Sequence, residues 1–383
     1  MKQLSFLRPL CRQLSLSTLA AVLCALSIGR SHAQTIRYVK PDGTGTGSSW
    51  ATASANLQAI INASSAGDQV WVAAGTYKPS SCTNCSAADR IMSFSMKNGV
   101  ALYGGFVGTE SALSERPASV SLAQPSSTTL SGYLGTTNNR NDRSVHVIAN
   151  NDLNNTALLD GFVITGGNID AGGIGVDYNT LQGAGMRNLH SSPIIRNCFF
   201  LDNIGTFGGR GSGLYSDATS FPQLTNCTFE RNAVSEGAAI YSDSISLRNC
   251  TISNNFSTGY SAVIVRKTAI INNCTFSSNS GGSGPNGGAT GGTLNVGAGS
   301  VLTNCLFVLN SVIGDGGALA AYEATVINCT FRGNRSSSGG AGIQNTYGGA
   351  VYASNTSFIN CSFTGNQSTT RGNIVRPVFK TTN

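Results

Sequence analysis

The sequence contains few charged residues, since Asp, Glu, Lys and Arg make up 11% of 383 residues, against about 25% in an ordinary soluble protein. Coiled coils and helical bundles need Ala, Leu, Glu and Lys in bulk, so this composition excludes them. Hydrophobic residues reach 40%, which is enough for a packed core and excludes wholesale disorder. The 47 glycines exceed the usual share of about 7%, which favours a turn-rich all-β chain.

Concentrated basic charge is also missing. The net charge is +7, but four of the basic residues lie within positions 1–33, and the remainder of the chain has 20 basic and 17 acidic residues. No cluster of Lys and Arg occurs in it. Nucleic-acid binding needs a concentrated basic surface, so we expect no nucleic-acid partner.

Familiar catalytic and membrane signals are absent as well. Only His146 and His190 follow the first 33 residues, and neither G-x-S-x-G nor H-E-x-x-H occurs. No later segment reaches the roughly 18 apolar residues of a membrane-spanning helix, so we expect no transmembrane segment.

The first 33 residues have the pattern of an export signal. Basic residues precede a mainly apolar run from Leu14 to Ile28, and Ser31-His32-Ala33 is similar to an A-x-A cleavage site. We therefore expect residues 1–33 to be a signal peptide, Gln34 to begin the mature chain, and the protein to be secreted, extracellular or associated with the outer membrane. An uncleaved anchor is the alternative.

One phrase, Asn-Cys-x-(Phe/Ile)-x-x-Asn, occurs seven times in the second half of the chain, with successive cysteines 23 to 32 positions apart. A second phrase of three small residues and one apolar residue precedes most copies, as in Gly211–Leu214 and Gly237–Ile240. Periods of 20–50 residues indicate a stacked repeat array. The cysteines of the seven copies are Cys198, Cys227, Cys250, Cys274, Cys305, Cys329 and Cys361.

The spacing within each copy predicts a coil with corners. The Cys and the Phe or Ile lie two residues apart and share one face of a strand. Another apolar residue lies three positions before each Cys, and an interval of three cannot stay on one face of a straight strand, so the chain has to bend near the Asn. Each repeat is then one coil of an all-β, right-handed parallel β-helix with apolar side chains inside, and Asn side chains at the corners can form amide ladders.

These two phrases resemble the repeats of polymorphic outer-membrane proteins, in the Gly-Gly-Ala-apolar form of Gly348–Val351 and the Phe-x-x-Asn form of Phe363–Asn366. The N-terminal half is similar to the leader of secreted bacterial β-helix proteins, through phrases such as Tyr38–Gly43 and Tyr103–Phe106. The resemblance implies an exported β-helix of the pectin-lyase-like class. It implies no activity, because the repeats of that family are structural.

We divide the chain into the signal peptide 1–33, an N-terminal cap with the first coils at 34–158, and repeat coils of the same β-helix at 159–383. Leu57, Ile60 and Ile61 have helical spacing and are expected to cover the open N-terminal end, with Gln69–Val72 as the first strand. No C-terminal cap is evident.

The cysteines fall into two groups. We expect the seven repeat cysteines to be a structural ladder of buried free thiols, with ladder disulfides as the alternative. Cys82 and Cys85 occupy a polar loop and are expected to form a disulfide in an exported protein. One C-x-x-C is half of a zinc site, so we expect no metal and no cofactor, with calcium left open.

Stacking the coils predicts one group of outward side chains. If Leu214, Ile240 and Ile264 point inward, the group contains Arg187, Tyr215, Asp217, Tyr241, Asp243 and Lys267. Adjacent Tyr rings and two close carboxylates could bind a sugar, or calcium with an acidic polysaccharide, and a raised carboxyl pKa would suit acid–base catalysis. The alternative is a solvated wall in which Asp243 and Lys267 form an ion pair.

The sequence favours a secreted or surface β-helix protein for adhesion or glycan binding, with an extracellular polysaccharide or a surface protein as partner. No catalytic set is identifiable, so we lean against an enzyme. The alternative is a polysaccharide lyase or glycoside hydrolase, and a third hypothesis is a passive structural passenger.

Overall fold

The computed structural model describes residues 34–80, 86–117, 127–135, 140–170, 181–206, 208–282, 292–338 and 348–369, and the backbone of 375–378. The predicted signal peptide and the predicted disulfide partners Cys82 and Cys85 lie outside the described residues. Residues 35–383 form one compact unit.

Four parallel sheets form the walls of a coil, and each complete coil adds one strand to every sheet in the order 1, 2, 3, 4. Sheet 1 consists of Ile148–Asn151, Met186–Leu189, Leu214–Ser216, Ile240–Ser242, Val263–Val265, Leu294–Val296, Leu319–Tyr322, Val351–Ser354 and Val375–Val378. Sheet 2 consists of Ile36–Val39, Gln69–Ala73, Ala101–Phe106, Leu158–Asp160, Ile194–Arg196, Gln223–Thr225, Ile245–Arg248, Ala269–Asn272, Val301–Thr303, Thr325–Ile327 and Ser357–Ile359.

The other two walls complete the coil. Sheet 3 consists of Gly75–Tyr77, Thr128–Ser131, Phe162–Thr165, Phe199–Leu201, Thr228–Glu230, Thr251–Ser253, Thr275–Ser277, Leu306–Val308, Thr330–Arg332 and Ser362–Thr364. Sheet 4 consists of Asn168–Ile169, Ile204–Gly205, Ala233–Val234, Phe256–Ser257, Ser280–Gly281, Ser311–Ile313, Arg335–Ser337 and Gln367–Ser368. The described helices are α1 (Leu57–Ala63), α2 (Ala87–Arg90) and the 3₁₀ turns Leu113–Glu115 and Arg140–Asp142.

The predicted bend lies at the Asn before each ladder Cys. All seven of these Asn residues have positive φ, between +51° and +56°, a left-handed conformation that Asn tolerates better than most residues. The bend turns the chain from sheet 2 into sheet 3 and keeps both walls facing the core. Phe rings then stack along the interior, with centroids 4.8 Å apart between Phe276 and Phe307 and 4.7 Å apart between Phe307 and Phe331.

Two columns of Asn side chains run along the coils. The last Asn of each phrase is buried and forms the inner column, in which Asn255 donates through Nδ2 to Asn279 Oδ1 at 2.9 Å. The Asn before each Cys forms an outer column, in which Asn273 donates to Asn249 Oδ1 at 2.9 Å. The inner column donates toward the C-terminal coils and the outer column donates toward the N-terminal coils.

The N-terminal end carries the expected helical turn. In α1, Leu57, Ile60 and Ile61 are buried, and the side chain of Asn56 caps the helix by accepting from the N–H of Ala59 at 3.0 Å. The expectation that Gln69–Val72 is the first strand was wrong, because Ile36–Val39 precedes it and pairs with it in parallel. That strand has only four residues and no repeat to mark it.

The seven ladder cysteines are free thiols, of which Cys361 is half-buried and the others are buried. Each Sγ lies near the carbonyl oxygen two residues earlier, as for Cys198 and Arg196 at 3.0 Å. Burial raises the pKa of Cys198 to about 12, so this thiol stays protonated at neutral pH. A buried thiol of this kind is a packing residue rather than a nucleophile.

Candidate functional site

The outer face of sheet 1 brings together three of the predicted site residues on consecutive coils. Arg187 pairs in register with Tyr215, and Tyr215 pairs with Tyr241. The two Tyr rings are nearly parallel, with centroids 5.7 Å apart and an interplanar angle of 17°. Tyr215 is half-buried, whereas Tyr241 is only 6% exposed.

The expected register on the next coil was wrong by one residue. Val263 and Val265 are the buried positions, and Ile264 pairs with Tyr241 on the outside. The small residues Ser261 and Ala262 end the turn one position earlier than the sequence interpretation assumed, so Val263 takes the inward place. As a result Arg266, rather than Lys267, follows Asp243 on the adjacent coil.

Asp243 is a buried carboxylate held by two cations. It is 1% exposed, and its oxygens lie 2.7 Å from Arg266 Nε and 3.1 Å from Lys267 Nζ. The pair between Asp243 and Lys267 is the one that the solvated-wall interpretation required. Arg266 was missed, because a one-residue error in register removes it from the outward row.

Asp217 is engaged in the turn that leaves sheet 1. Its side chain accepts from the hydroxyl of Ser220 at 2.7 Å, from the N–H of His190 at 3.0 Å and from Thr219. Burial would raise the pKa of Asp217, but these hydrogen bonds stabilise the carboxylate more strongly and lower its pKa. Asp217 is therefore an ionised turn residue.

Arg210 is a second residue that sequence reasoning missed. Its Nε lies 2.9 Å from Glu236 Oε2, and its guanidinium lies 5.2 Å from the centre of the Tyr241 ring. Arg266 lies over the same ring at 6.0 Å. Cations over an aromatic face are attracted by its electrons, so both arginines are held against the Tyr pair. Arg210 precedes the small-residue phrase, at a position where the repeats share no residue type.

Arg187 differs from these arginines, because it has no carboxylate within ion-pair distance among the described residues. Its Nε is buried without a hydrogen bond, and burial is the main reason that its pKa is lowered. His146 is buried, with Nδ1 3.0 Å from the carbonyl oxygen of Gly183. Burial, together with the charge of Arg187, lowers the pKa of His146 to about 4.

The geometry gives no support to acid–base catalysis by paired carboxylates. That chemistry needs one carboxyl group with a raised pKa, whereas the pKa of Asp217 is lowered and Asp243 is paired with two cations. In the part of the chain that the structure describes, no group of three or more His, Cys, Asp or Glu side chains is placed to hold a metal ion. What remains on this face is a set of guanidinium groups around the half-buried Tyr215 and the buried Tyr241. We call it the sheet 1 strip, and it consists of Arg187, Arg210, Tyr215, Tyr241 and Arg266.

A family model described as a right handed beta helix region matches residues 134–266. No curated protein matches the chain. Among solved structures, the pectate lyase Pel9A is similar at 12% identity over 89% of this chain and 79% of that chain, with a TM-score of 0.45. A rhamnogalacturonan lyase is similar at 12% identity over 82% of this chain and 84% of that chain, with a TM-score of 0.37.

A polygalacturonase from Erwinia carotovora ssp. carotovora is similar at 11% identity over 91% of this chain and 99% of that chain, with a TM-score of 0.35. Identities of this size concern the fold and not the activity. The chain is a right-handed parallel β-helix, which confirms the fold predicted from its repeats. Among the described residues, no helix is long and apolar enough to cross a membrane.

Proposed function

We propose that this is an exported or cell-surface β-helix protein that binds a glycan along the sheet 1 strip and serves in adhesion. The observation that carries the proposal is the in-register row of Arg187, Tyr215 and Tyr241, flanked by Arg210 and Arg266. Export is supported by the pattern of residues 1–33, and the mature chain is proposed to begin at Gln34.

The strip suits a chain with polar groups at regular intervals. Coils repeat at about 4.8 Å along a parallel sheet, so Arg187, Tyr215 and Tyr241 lie one coil apart along the wall. Tyr combines an apolar ring with a hydroxyl group that bonds to polar ligands, and Arg offers five N–H donors in a fixed plane. An extracellular polysaccharide presents a matching row of acceptors.

A polysaccharide lyase or glycoside hydrolase remains the alternative. It would use Asp217, Asp243, Lys267 and Arg187, and the hydrogen bonds and ion pairs that occupy both carboxylates favour binding over catalysis. A passive structural passenger is the third possibility, which would leave the strip without a ligand.

Affinity electrophoresis of the mature protein through gels that contain neutral or acidic polysaccharides, with and without calcium, tests the proposal. Arg187→Ala and Tyr215→Ala should each weaken retention on the bound glycan about tenfold, a loss of roughly 1.4 kcal/mol. Arg332→Ala, at an exposed position on sheet 3, is the matched control and should leave retention unchanged. Mass spectrometry of the same polysaccharides should detect no cleavage, whereas oligosaccharides that disappear with Asp243→Asn would establish the enzyme alternative.

A further inference from the structure

Two cavities lie on either side of Pro41, far along the chain from the sheet 1 strip. The first has a volume of about 320 Å³ and lies between α1 and the strand Gly75–Tyr77. The second has a volume of about 360 Å³. Gly75 has φ of +144°, and a Cβ atom there would collide with the Pro41 ring. Glycine at this position therefore allows Pro41 to form the wall that the two cavities share.

The first cavity is built from fixed parts. Tyr77 and Phe94 line it and are each 4% exposed, and the Tyr77 hydroxyl is committed to the carbonyl oxygen of Ala73 at 3.0 Å. The Gln58 amide joins the opposite wall to the Phe94 segment, because it accepts from the N–H of Ser95 at 2.8 Å and donates to its carbonyl oxygen at 3.2 Å. These bonds hold the cavity open without a ligand, which lowers the cost of binding.

Polar groups at the rim of the first cavity are available to a ligand. Thr76 and Lys78 are exposed and line it. Lys78 Nζ has one described partner, the carbonyl oxygen of Leu134 at 3.4 Å, and no carboxylate within ion-pair distance among the described residues. Thr76 and Lys78 thus line the same space as the buried aromatic side chains of Tyr77 and Phe94.

The second cavity balances its charges. Lys40 and Asp42 line it, together with Ala73, Ala74 and the 65% exposed Val107. A donor cation and an acceptor carboxylate beside apolar surface suit a neutral ligand that can both donate and accept hydrogen bonds. Hydroxyl groups do both.

We propose that the two cavities hold neighbouring residues of a neutral, hydroxyl-rich glycan, with Pro41 between them. Clefts of about 300–1,000 Å³ hold small ligands, and the mainly polar lining of these two suits a hydroxyl-rich one. In the second cavity Asp42 offsets the charge of Lys40, so no net positive charge is left there to hold the carboxylate of an acidic sugar. The site is independent of the sheet 1 strip, so the protein would have two separate glycan contacts.

Titration with cellobiose, maltose and lactose, followed by intrinsic fluorescence, tests the site. Both tryptophans, Trp50 and Trp71, lie in this region, and Trp50 donates to the carbonyl oxygen of Glu110, close in sequence to Val107 and Gly108 of the second cavity. Ala55 is exposed and lines the first cavity, so Ala55→Phe should fill the cavity and weaken binding of the responding disaccharide about tenfold. Ala51→Phe, an exposed position outside both cavities, is the matched control and should not change binding.

No saturable response to any of the three disaccharides up to about 10 mM, a ceiling that corresponds to roughly −3 kcal/mol, would overturn the proposal. Equal losses in Ala55→Phe and Ala51→Phe, or tighter binding of digalacturonate than of the neutral sugars, would also overturn it. Far-UV circular dichroism on each variant confirms that it is folded. The disaccharide titration tests the cavities beside Pro41, and polysaccharide retention tests the sheet 1 strip. Either experiment can fail while the other succeeds, so the two proposals are tested separately.

Discussion

The N-terminal coils, 34–158, and the repeat coils, 159–369, build the same kind of coil in different ways. In the repeat coils like side chains stack on like, and the rings of Phe200 and Phe229 are parallel to within 2°. In the N-terminal coils the paired rings are of unlike type and meet at varied angles, 64° for Tyr38 and Trp50 and 12° for Trp71 and Phe106. A repeated sequence allows the same side-chain contact to form on every coil, whereas a sequence without repeats needs a different packing contact on each coil.

The polar groups show the same contrast. The repeat coils satisfy their buried amides with the inner Asn column, in which each member plays the same part. The N-terminal coils use single side chains, such as Asp68, which accepts from the N–H groups of Thr35 and Ser65, and Glu110, which accepts from those of Val107, Gly108 and Thr109. Damage to one repeat coil should therefore destabilise the adjacent coils most and more distant coils less.

The largest expected effect comes from the Phe stack. Phe276→Ala should reduce the free energy of unfolding by about 3–5 kcal/mol, because it leaves a cavity beside Phe307 in a fully buried column. Urea unfolding measures this loss of stability with two probes. Far-UV circular dichroism reports the whole chain, and fluorescence of Trp50 and Trp71 reports only the N-terminal coils. The dichroism midpoint should fall more than the fluorescence midpoint. If neither midpoint changes, the assignment of Phe276 to the interior is contradicted.

The second effect depends on pH and involves both regions, because the charge of Arg187 in the repeat coils helps to lower the pKa of His146 in the N-terminal coils. The pKa of His146 is about 4 in the folded protein and about 6.5 in an unfolded chain, so the unfolded state binds the additional proton. The contribution of His146 to the free energy of unfolding is then complete above about pH 6.5 and falls as the pH drops toward about 4. It levels off below that pH, with a total loss of about 3 kcal/mol.

Urea midpoints for the native protein and His146→Gln between about pH 7.5 and pH 4 measure this contribution as a difference. The native protein should lose more stability than the variant over that interval. Parallel pH profiles would show that His146 is not held neutral by burial.

The smallest effect separates the two Asn columns on one coil. Asn279→Ala should cost about 2–3 kcal/mol, because it leaves the buried N–H of Asn255 and the carbonyl oxygen of Ile252 without their partner. Asn273→Gly, in the exposed outer column, should cost less than about 1 kcal/mol, since glycine adopts the φ of +53° readily. Thermal unfolding of the two variants measures both costs, and equal losses would remove the distinction between the columns.

The repeats made the fold of the second half predictable, because two phrases in step specify the bend, the inward Phe and the Asn columns. The same regularity misled at Val263, where Ser261 and Ala262 shift the phrase by one residue and exchange Arg266 for Lys267 in the outward row. Arg210 was missed because the position before the small-residue phrase has no common residue type, with Arg210 on one coil and Glu236 on the next. The N-terminal strand Ile36–Val39 has no repeat and no long apolar run, so nothing in its own residues marks it.

The central functional claim is that the sheet 1 strip holds a glycan, and retention of the mature protein on a polysaccharide panel tests it most directly. We expect retention on at least one polysaccharide, weakened about tenfold by Arg187→Ala or Tyr215→Ala and unchanged by Arg332→Ala. Retention that all three variants preserve, or no retention on any polysaccharide, would contradict it.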